Sequence, residues 1–389
     1  MDESELAGRI VRMPESGIRE VFDEAATYDD VADLSIGEPD FTTPEPIVDR
    51  VDDRVRSGAT HYTPTQGRPD LREALSAKLE RENGISADPE TEVIVTPGAM
   101  GALFEAIHSL VDSGDEVVIP EPYWPNYDGH VASAGGTVVP VETDPEDGFV
   151  PSPEDVADAI TPETKLLVLN TPSNPTGAVI PPATLEEIAA VVDRAGVWCL
   201  VDETYESLVY DDAEHHSIAS DPETFDRTLT VHSFSKAYAM TGWRVGYVSG
   251  PSHVIDSIRV LQEHTVSCVA EPAQEAALAA LSEPELLDDV REIFDRRRSL
   301  LLEELEAVPG LSPVEPAGAF YVFAEITGTD RDSRSVVMQL LEDEQVAVVP
   351  GGVFGDSADS YVRLSYATDE ETIREAVDRM RRVFESFSS

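Results

Sequence analysis

Lysine is scarce in this chain. Of 27 basic residues only Lys78, Lys165 and Lys236 are lysines; the other 24 are arginines. Lys236 stands apart by its surroundings. It lies in HSFSKAYAMTGWRVGY, where Ser233, Ser235, Lys236 and Arg244 fall within twelve residues, interleaved with aromatics. A lysine amine attacks a carbonyl only when neutral, so its ordinary pKa of about 10.4 must be lowered. A desolvated pocket and a cationic neighbour both lower it. Arg244 and a serine hydroxyl could also grip a phosphate, the guanidinium in bidentate fashion. The other lysines have blander settings. Lys78 lies in LREALSAKLEREN, whose apolar spacing predicts an amphipathic helix, and Lys165 lies in TPETKLLVLN at the edge of a strand. Both read as solvated surface residues.

Three more segments carry unusual side chains. In VTPGAMGALFEAI a strand ends, Gly98 turns the chain and a helix begins. The first helical amides, from Ala99 and Met100, are unpaired and can hold a phosphate. No GxGxxG or GxxxxGK[ST] is present, so dinucleotide and P-loop readings lack their fingerprints. In LVLNTPSNPTG a buried strand runs into a loop stiffened by two prolines and a glycine, which presents Asn174. In CLVDETYESLVY, Asp202 directly follows an apolar run. A buried carboxylate is costly unless it meets a cation, and a pyridinium nitrogen would be one. Tyr205 could offer a hydroxyl from the same turn. The competing reading of Asp202 is a helix N-cap.

The elements that must position these residues alternate. From about 68 to 250, amphipathic stretches such as RPDLREALSAKLERENG and TLEEIAAVVDRAG alternate with short apolar ones such as TEVIVTPG, DEVVIP, KLLVLN and VWCLVDE. This predicts an α/β fold, a mostly parallel sheet with helices on both faces. Ligand-binding residues in such sheets sit at the C-terminal ends of strands. From about 285 onward RRRSLLLEELEAVPG, AGAFYVFAEI, SVVMQLLEDE, YVRLSYA and DEETIREAVDRMRRVFESF predict a smaller α+β unit. No internal repeat or flexible linker separates the two.

Composition excludes several partners. Asp and Glu number 77, giving a formal charge of −50. Such a surface repels nucleic-acid phosphates and anionic membranes. Apolar periodicity runs through the acidic stretches, so the chain reads as folded with a solvated acidic shell, as in a salt-rich cytoplasm. No run of 18 apolar residues suggests a membrane span, and the acidic MDESELAGRIVRMPES lacks the apolar core of a secretory signal. Cys199 in GVWCLVDE reads as core, and Cys268 has no CxxC spacing. His215 and His216 are adjacent in an acidic loop, which reads as surface; no metal site is expected.

SFSKAYAMTGWRVGY resembles the lysine signature of the class I/II aminotransferases, which have the type I fold of pyridoxal-phosphate enzymes. The resemblance runs, in family order, through SIGEPDF, HYTPTQGRPDLREAL, TPGAMGAL, EPYWPNY, NTPSNPTG, VDETY and VRLSYA. It implies a cofactor, pyridoxal phosphate, held by Lys236 as a Schiff base, with the same amine shuttling the 1,3-proton. It implies that Asp202 keeps the pyridine nitrogen protonated, so that the ring acts as an electron sink. Tyr205 and Asn174 would meet the phenolic oxygen, and Trp124 would stack on the ring unless it is a core tryptophan. Ser233, Arg244 and the Ala99 and Met100 amides would form the phosphate cup. Some relatives have a hydroxyl side chain in that turn, which this chain lacks. Tyr62 would reach the phosphate from a neighbouring subunit, making a homodimer with shared sites. Arg363 would bind the substrate α-carboxylate, and Gly37 would close over the substrate. The resemblance implies a large domain over 44–284 and a small one from 1–43 and 285–389.

The implied reaction is ping-pong transamination between an L-amino acid and a 2-oxo acid, with aspartate and 2-oxoglutarate as the first choice. A C–S β-lyase of the same fold uses the same deprotonation. A non-catalytic regulator needs an appended DNA-binding segment; none precedes SIGEP, and the charge opposes DNA. A dicarboxylic substrate calls for a second cation, for which Arg12, Arg19 and Arg68 are candidates only through scarcity of alternatives.

Overall fold

The computed structural model describes residues 7–14 and 17–387. Its strands are β1 (Ala32–Asp33), β2 (Val93–Thr96), β3 (Glu116–Glu121), β4 (Thr137–Glu142), β5 (Thr164–Asn170), β6 (Trp198–Asp202), β7 (Thr228–Ser233), β8 (Gly246–Ser249), β9 (Leu311–Val314), β10 (Tyr321–Ile326), β11 (Val346–Ala347), β12 (Val349–Pro350) and β13 (Tyr361–Ser365). Seven form one sheet in the order β2-β8-β7-β6-β5-β3-β4. Only β8 runs against the rest, pairing antiparallel with both β2 and β7. The α/β fold with a mostly parallel mixed sheet is the one expected. Helices cover both faces, which is why β5 and β6 are apolar without alternation: Leu166 to Leu169 and Cys199 to Val201 are all fully buried.

Register fixes where the chemistry collects. Asn170 pairs with Asp202, and Ser233 ends the next strand opposite the first residue of β8, so these three polar residues share the C-terminal edge of β5, β6 and β7. The helix Gly98–Leu110 starts at the same edge.

A second sheet, β12-β13-β10-β9, is antiparallel. The chain's early part joins it: Ala32 pairs with Val346, and Ser365 N donates to Leu34 O at 2.7 Å. That pairing lays residues 34–37 beside β13 and brings Gly37 toward Arg363's strand.

Several sequence expectations need correction. The helix in RPDLREALSAKLERENG is α-helical only over Pro69–Lys78 and widens to a π-turn over Leu79–Asn83, ending at left-handed Gly84. The helix placed at RRRSLLLEELEAVPG starts earlier and spans Glu285–Leu305. Lys165 lies within β5 and is half-buried, not free in solvent. Lys78 is buried, with its side chain 8% exposed, because its helix docks onto the sheet and an acidic partner waits there. His215 is likewise not a surface residue: its ring Nε2 donates to the buried Glu203 carboxylate at 3.0 Å. Cys199 is in the core as expected.

Candidate active site

A cavity of about 340 Å³ opens at the C-terminal edge of the large sheet. The sheet supplies Asp202 and Ser233 at strand ends, and the loops beyond supply Asn174, Tyr205, Lys236 and Arg244. Ala99 and Met100 reach it from the first turn of the helix Gly98–Leu110, and Trp124 from the loop after β3. Gly37 and Arg363 close it from the side of the second sheet. Every residue assigned to the cofactor or to the α-carboxylate end of the substrate lines this one cavity except Tyr62, which is 91% exposed on the surface of the chain.

Lys236 Nζ donates to Gly37 O at 2.6 Å. Burial is the main reason its amine is pushed down to about 8; Arg363 and Arg244 lower it too, against the pull of Glu38 and Asp202. Both effects anticipated for an activated lysine are therefore present.

Asp202 is 5% exposed. Burial holds its carboxyl above the ordinary range, opposed by donors from Thr204 and Tyr127. Tyr127 Oη donates to Oδ2 at 2.9 Å, and Thr204 N donates to Oδ1 at 3.1 Å. No helix starts at Asp202, so the helix-cap reading is not met; the second contact closes a local turn, and Asp202 both fixes that turn and faces the cavity. Among the described residues no lysine or arginine forms an ion pair with it. A cationic ring nitrogen would complete it.

The phosphate-sized end is shaped by backbone. Gly98 has φ +75, and a Cβ there would meet Arg244 Nη2 at 2.6 Å. A Cβ on Gly246 would meet the Ala99 amide nitrogen at 2.8 Å. Glycine at both positions lets Arg244 and the first helical amides converge. Ser233 Oγ accepts from Ser235 N at 3.0 Å and keeps its own proton to donate.

Arg363 is 2% exposed. Its Nη1 donates to Asn174 Oδ1 at 2.9 Å and Nη2 to Ser35 O at 2.7 Å. The guanidinium lies 4.4 Å from the Tyr321 ring centroid and 5.1 Å from that of Phe354. Nε has no partner, and among the described residues no carboxylate pairs with this charge. Burial lowers its pKa for the same reason. A buried, aromatic-clamped cation lacking an anion is built to receive one.

The structure adds residues to which the sequence reading assigned no place in the site. Tyr127, Ser235, Thr241, Tyr321 and Glu38 also line the cavity. Tyr127 and Ser235 sit inside motifs already singled out, so their positions were a visible signal. Tyr321 bonds Tyr205 Oη at 2.9 Å, but comes from a strand far along the chain, and nothing local marked it. None of the candidate distal cations lines the cavity. Arg68 is engaged by Asp70 and Glu275, Arg19 pairs with Asp23 at 3.2 Å, and Arg12 is exposed.

Fold and cavity together define a pyridoxal-phosphate enzyme of fold type I. The aminotransferase class I and II family model matches residues 29–380. The chain is 41% identical to an aspartate aminotransferase of Pyrococcus abyssi, over 97% of this chain and 98% of the relative. It is 46% identical to an aspartate/prephenate aminotransferase of Thermus thermophilus over 91% of each. The solved structure of a Thermus thermophilus aspartate aminotransferase with maleate superposes with a TM-score of 0.93 at 44% identity, covering 97% of this chain and 99% of that one. The chain belongs to the class I and II aminotransferases. It is a pyridoxal-phosphate-dependent transaminase that moves an amino group between an amino acid and a 2-oxo acid. No described helix is long and apolar enough to cross a membrane.

The lowered lysine has a direct consequence. Apoprotein should recapture pyridoxal phosphate faster as pH rises, with the rate levelling off above about 8. Following the visible band at each pH checks this; a rate still climbing toward the ordinary lysine value of 10.5 contradicts it. Stability has the same sign. Between about 8 and 10.5 the unfolded chain holds a proton that the folded apoprotein has lost, so this group's contribution to stability rises with pH.

Proposed function

We propose that this transaminase takes aspartate as amino donor and 2-oxoglutarate as acceptor. The names of the Pyrococcus and Thermus relatives support aspartate. The observation that carries the site assignment is the pairing, in one cavity, of a lowered lysine amine with a buried guanidinium that has no described anion. Lys236 Nζ would hold the cofactor, and the same amine is placed to carry the α-proton. Asp202 would hold the ring nitrogen in its protonated state. Tyr205 Oη and the Asn174 amide nitrogen would serve the phenolic oxygen. Trp124 would cover the ring. Ser233, Arg244 and the amides of Ala99 and Met100 take the phosphate. Arg363 binds the substrate α-carboxylate, next to the Gly37 backbone. Pyridoxal phosphate, when bound, supplies the electron sink that weakens the bond to the α-proton.

Exposed Tyr62 fits a role in the neighbouring subunit's site, and we infer a homodimer with shared active sites. We further infer a large domain over 44–284 and a small one from 1–43 and 285–389, an assignment favoured by the pairing of β1 with β11. The charge of −50 favours a salt-rich cytoplasm as the working environment.

The test is an absorbance spectrum of the holoenzyme in concentrated KCl, before and after aspartate without acceptor. The expected result is a shift of the visible band with release of an equal amount of oxaloacetate. A band that aspartate leaves unmoved removes aspartate as donor. Release of ammonia without an acceptor points instead to lyase chemistry.

A further inference from the structure

Behind the turn that carries Asp202 and Tyr205 lies a buried polar cluster outside the cavity. Asp202 and Tyr205 line the cavity, whereas Glu203 and Glu206 of the same turn do not. Glu206, with its side chain 15% exposed, is gripped from three sides. Lys78 Nζ donates to its Oε1, His232 Nδ1 lies 3.1 Å from the same oxygen, and Asn83 Nδ2 donates to Oε2 at 2.6 Å. Lys78 also donates to Asn83 Oδ1 at 2.8 Å. Glu203 accepts from Ser217 Oγ at 2.6 Å and meets His215 Nε2 at 3.0 Å. Burial would raise the Glu206 carboxyl, but Lys78 and His232 hold it well below the ordinary range.

This arrangement is a poor device for stability alone. A buried ion pair roughly breaks even against apolar side chains of similar size, whereas removing one partner strands the other. Such a pair does select one geometry over its near neighbours. Here the selected element is a five-residue turn, 202–206, of which Asp202, Thr204 and Tyr205 line the cavity while Glu203 and Glu206 face away from it. The choice of lysine is informative in a chain with 24 arginines. A compact ammonium sits between Glu206 and Asn83, whereas a guanidinium is larger and holds its donors in a fixed planar fork.

We propose that Lys78, acting through Glu206, is a positioning residue for transamination: the buried pair sets the turn that presents Asp202 and Tyr205 to the cofactor. The inference rests on those two residues serving the cofactor.

The test compares Lys78→Met, Lys78→Met with Glu206→Gln, Lys78→Arg and Asp202→Asn as holoenzymes in concentrated KCl. Thermal midpoint, pyridoxal-phosphate dissociation constant, and kcat and KM for one amino acid are measured for each. Lys78→Met takes the ammonium from the enclosed Glu206 carboxylate and leaves it to His232 and Asn83, so its midpoint drops; the double variant removes both charges of the pair and regains most of it. Positioning requires that the double variant, though stable, still binds cofactor about 10-fold more weakly and loses about 10- to 100-fold in kcat with KM little changed. Lys78→Arg keeps the charge and shows the same kcat loss; it decides the matter if the Met variants do not fold. Recovery of stability, cofactor affinity and kcat together in the double variant overturns the proposal. Asp202→Asn separates the two levels. If it is impaired while the Lys78 variants are not, only the positioning role fails. If it is unimpaired, the assignment of Asp202 fails and the positioning role falls with it.

Discussion

Replacing Lys236 with alanine abolishes the visible, borohydride-reducible band and lowers transamination by about ten-thousand-fold or more. Two functions disappear with one atom. The amine that anchors the cofactor is gone, and so is the base for the α-proton, whose loss alone costs about 100- to 10,000-fold. No other lysine can take over. Lys78 is bound to Glu206 and Asn83 behind the turn, and Lys165 lies in β5 away from the cavity. Asp202, Arg244 and Arg363 remain, so cofactor and substrate still find their charged partners. Noncovalent pyridoxal phosphate therefore stays detectable by dialysis while the band is lost. An alanine variant that keeps the same reducible adduct shows that the cofactor sits elsewhere.

Replacing Arg363 with alanine lowers kcat/KM about 100-fold or more for amino acid and 2-oxo acid alike. The loss appears chiefly in KM, because the α-carboxylate contact is made in ground state and transition state equally. Every substrate shares that carboxylate, so the effect does not depend on the side chain offered. Cofactor affinity changes little, since the phosphate end is held by other groups. A second effect goes with it. Arg363 helps to lower the free Lys236 amine, so its removal moves upward the pH at which apoprotein recapture of pyridoxal phosphate levels off. Steady-state kinetics measures the first effect and recapture rates across pH the second. A kcat/KM within about 3-fold of the parent enzyme would mean that the carboxylate is read elsewhere.

The α/β architecture and most of the cavity were legible in the linear chain. Apolar runs such as KLLVLN and VWCLVDE mark strands buried on both faces; Asp202 follows such a run directly, and Asn174 sits in the Pro-stiffened loop just beyond one. Lys236 was visible because a scarce residue type sits among hydroxyls and aromatics. These signals are local: a strand's pattern and the residue after its last apolar position are properties of a few consecutive side chains.

What the sequence determined, then, is which elements form and which residues end at strand edges. Which cations are buried was decided only in three dimensions. Lys78 and His215 sit in polar, acidic stretches that look like solvated surface, yet both are enclosed by the turn after β6. The partner of Lys78 lies 128 residues away, and Tyr321 meets Tyr205 across 116. A charge is buried only where an opposite charge and its hydrogen-bond partners arrive together to offset desolvation. Local composition carries no record of that arrival; strand register and helix docking do.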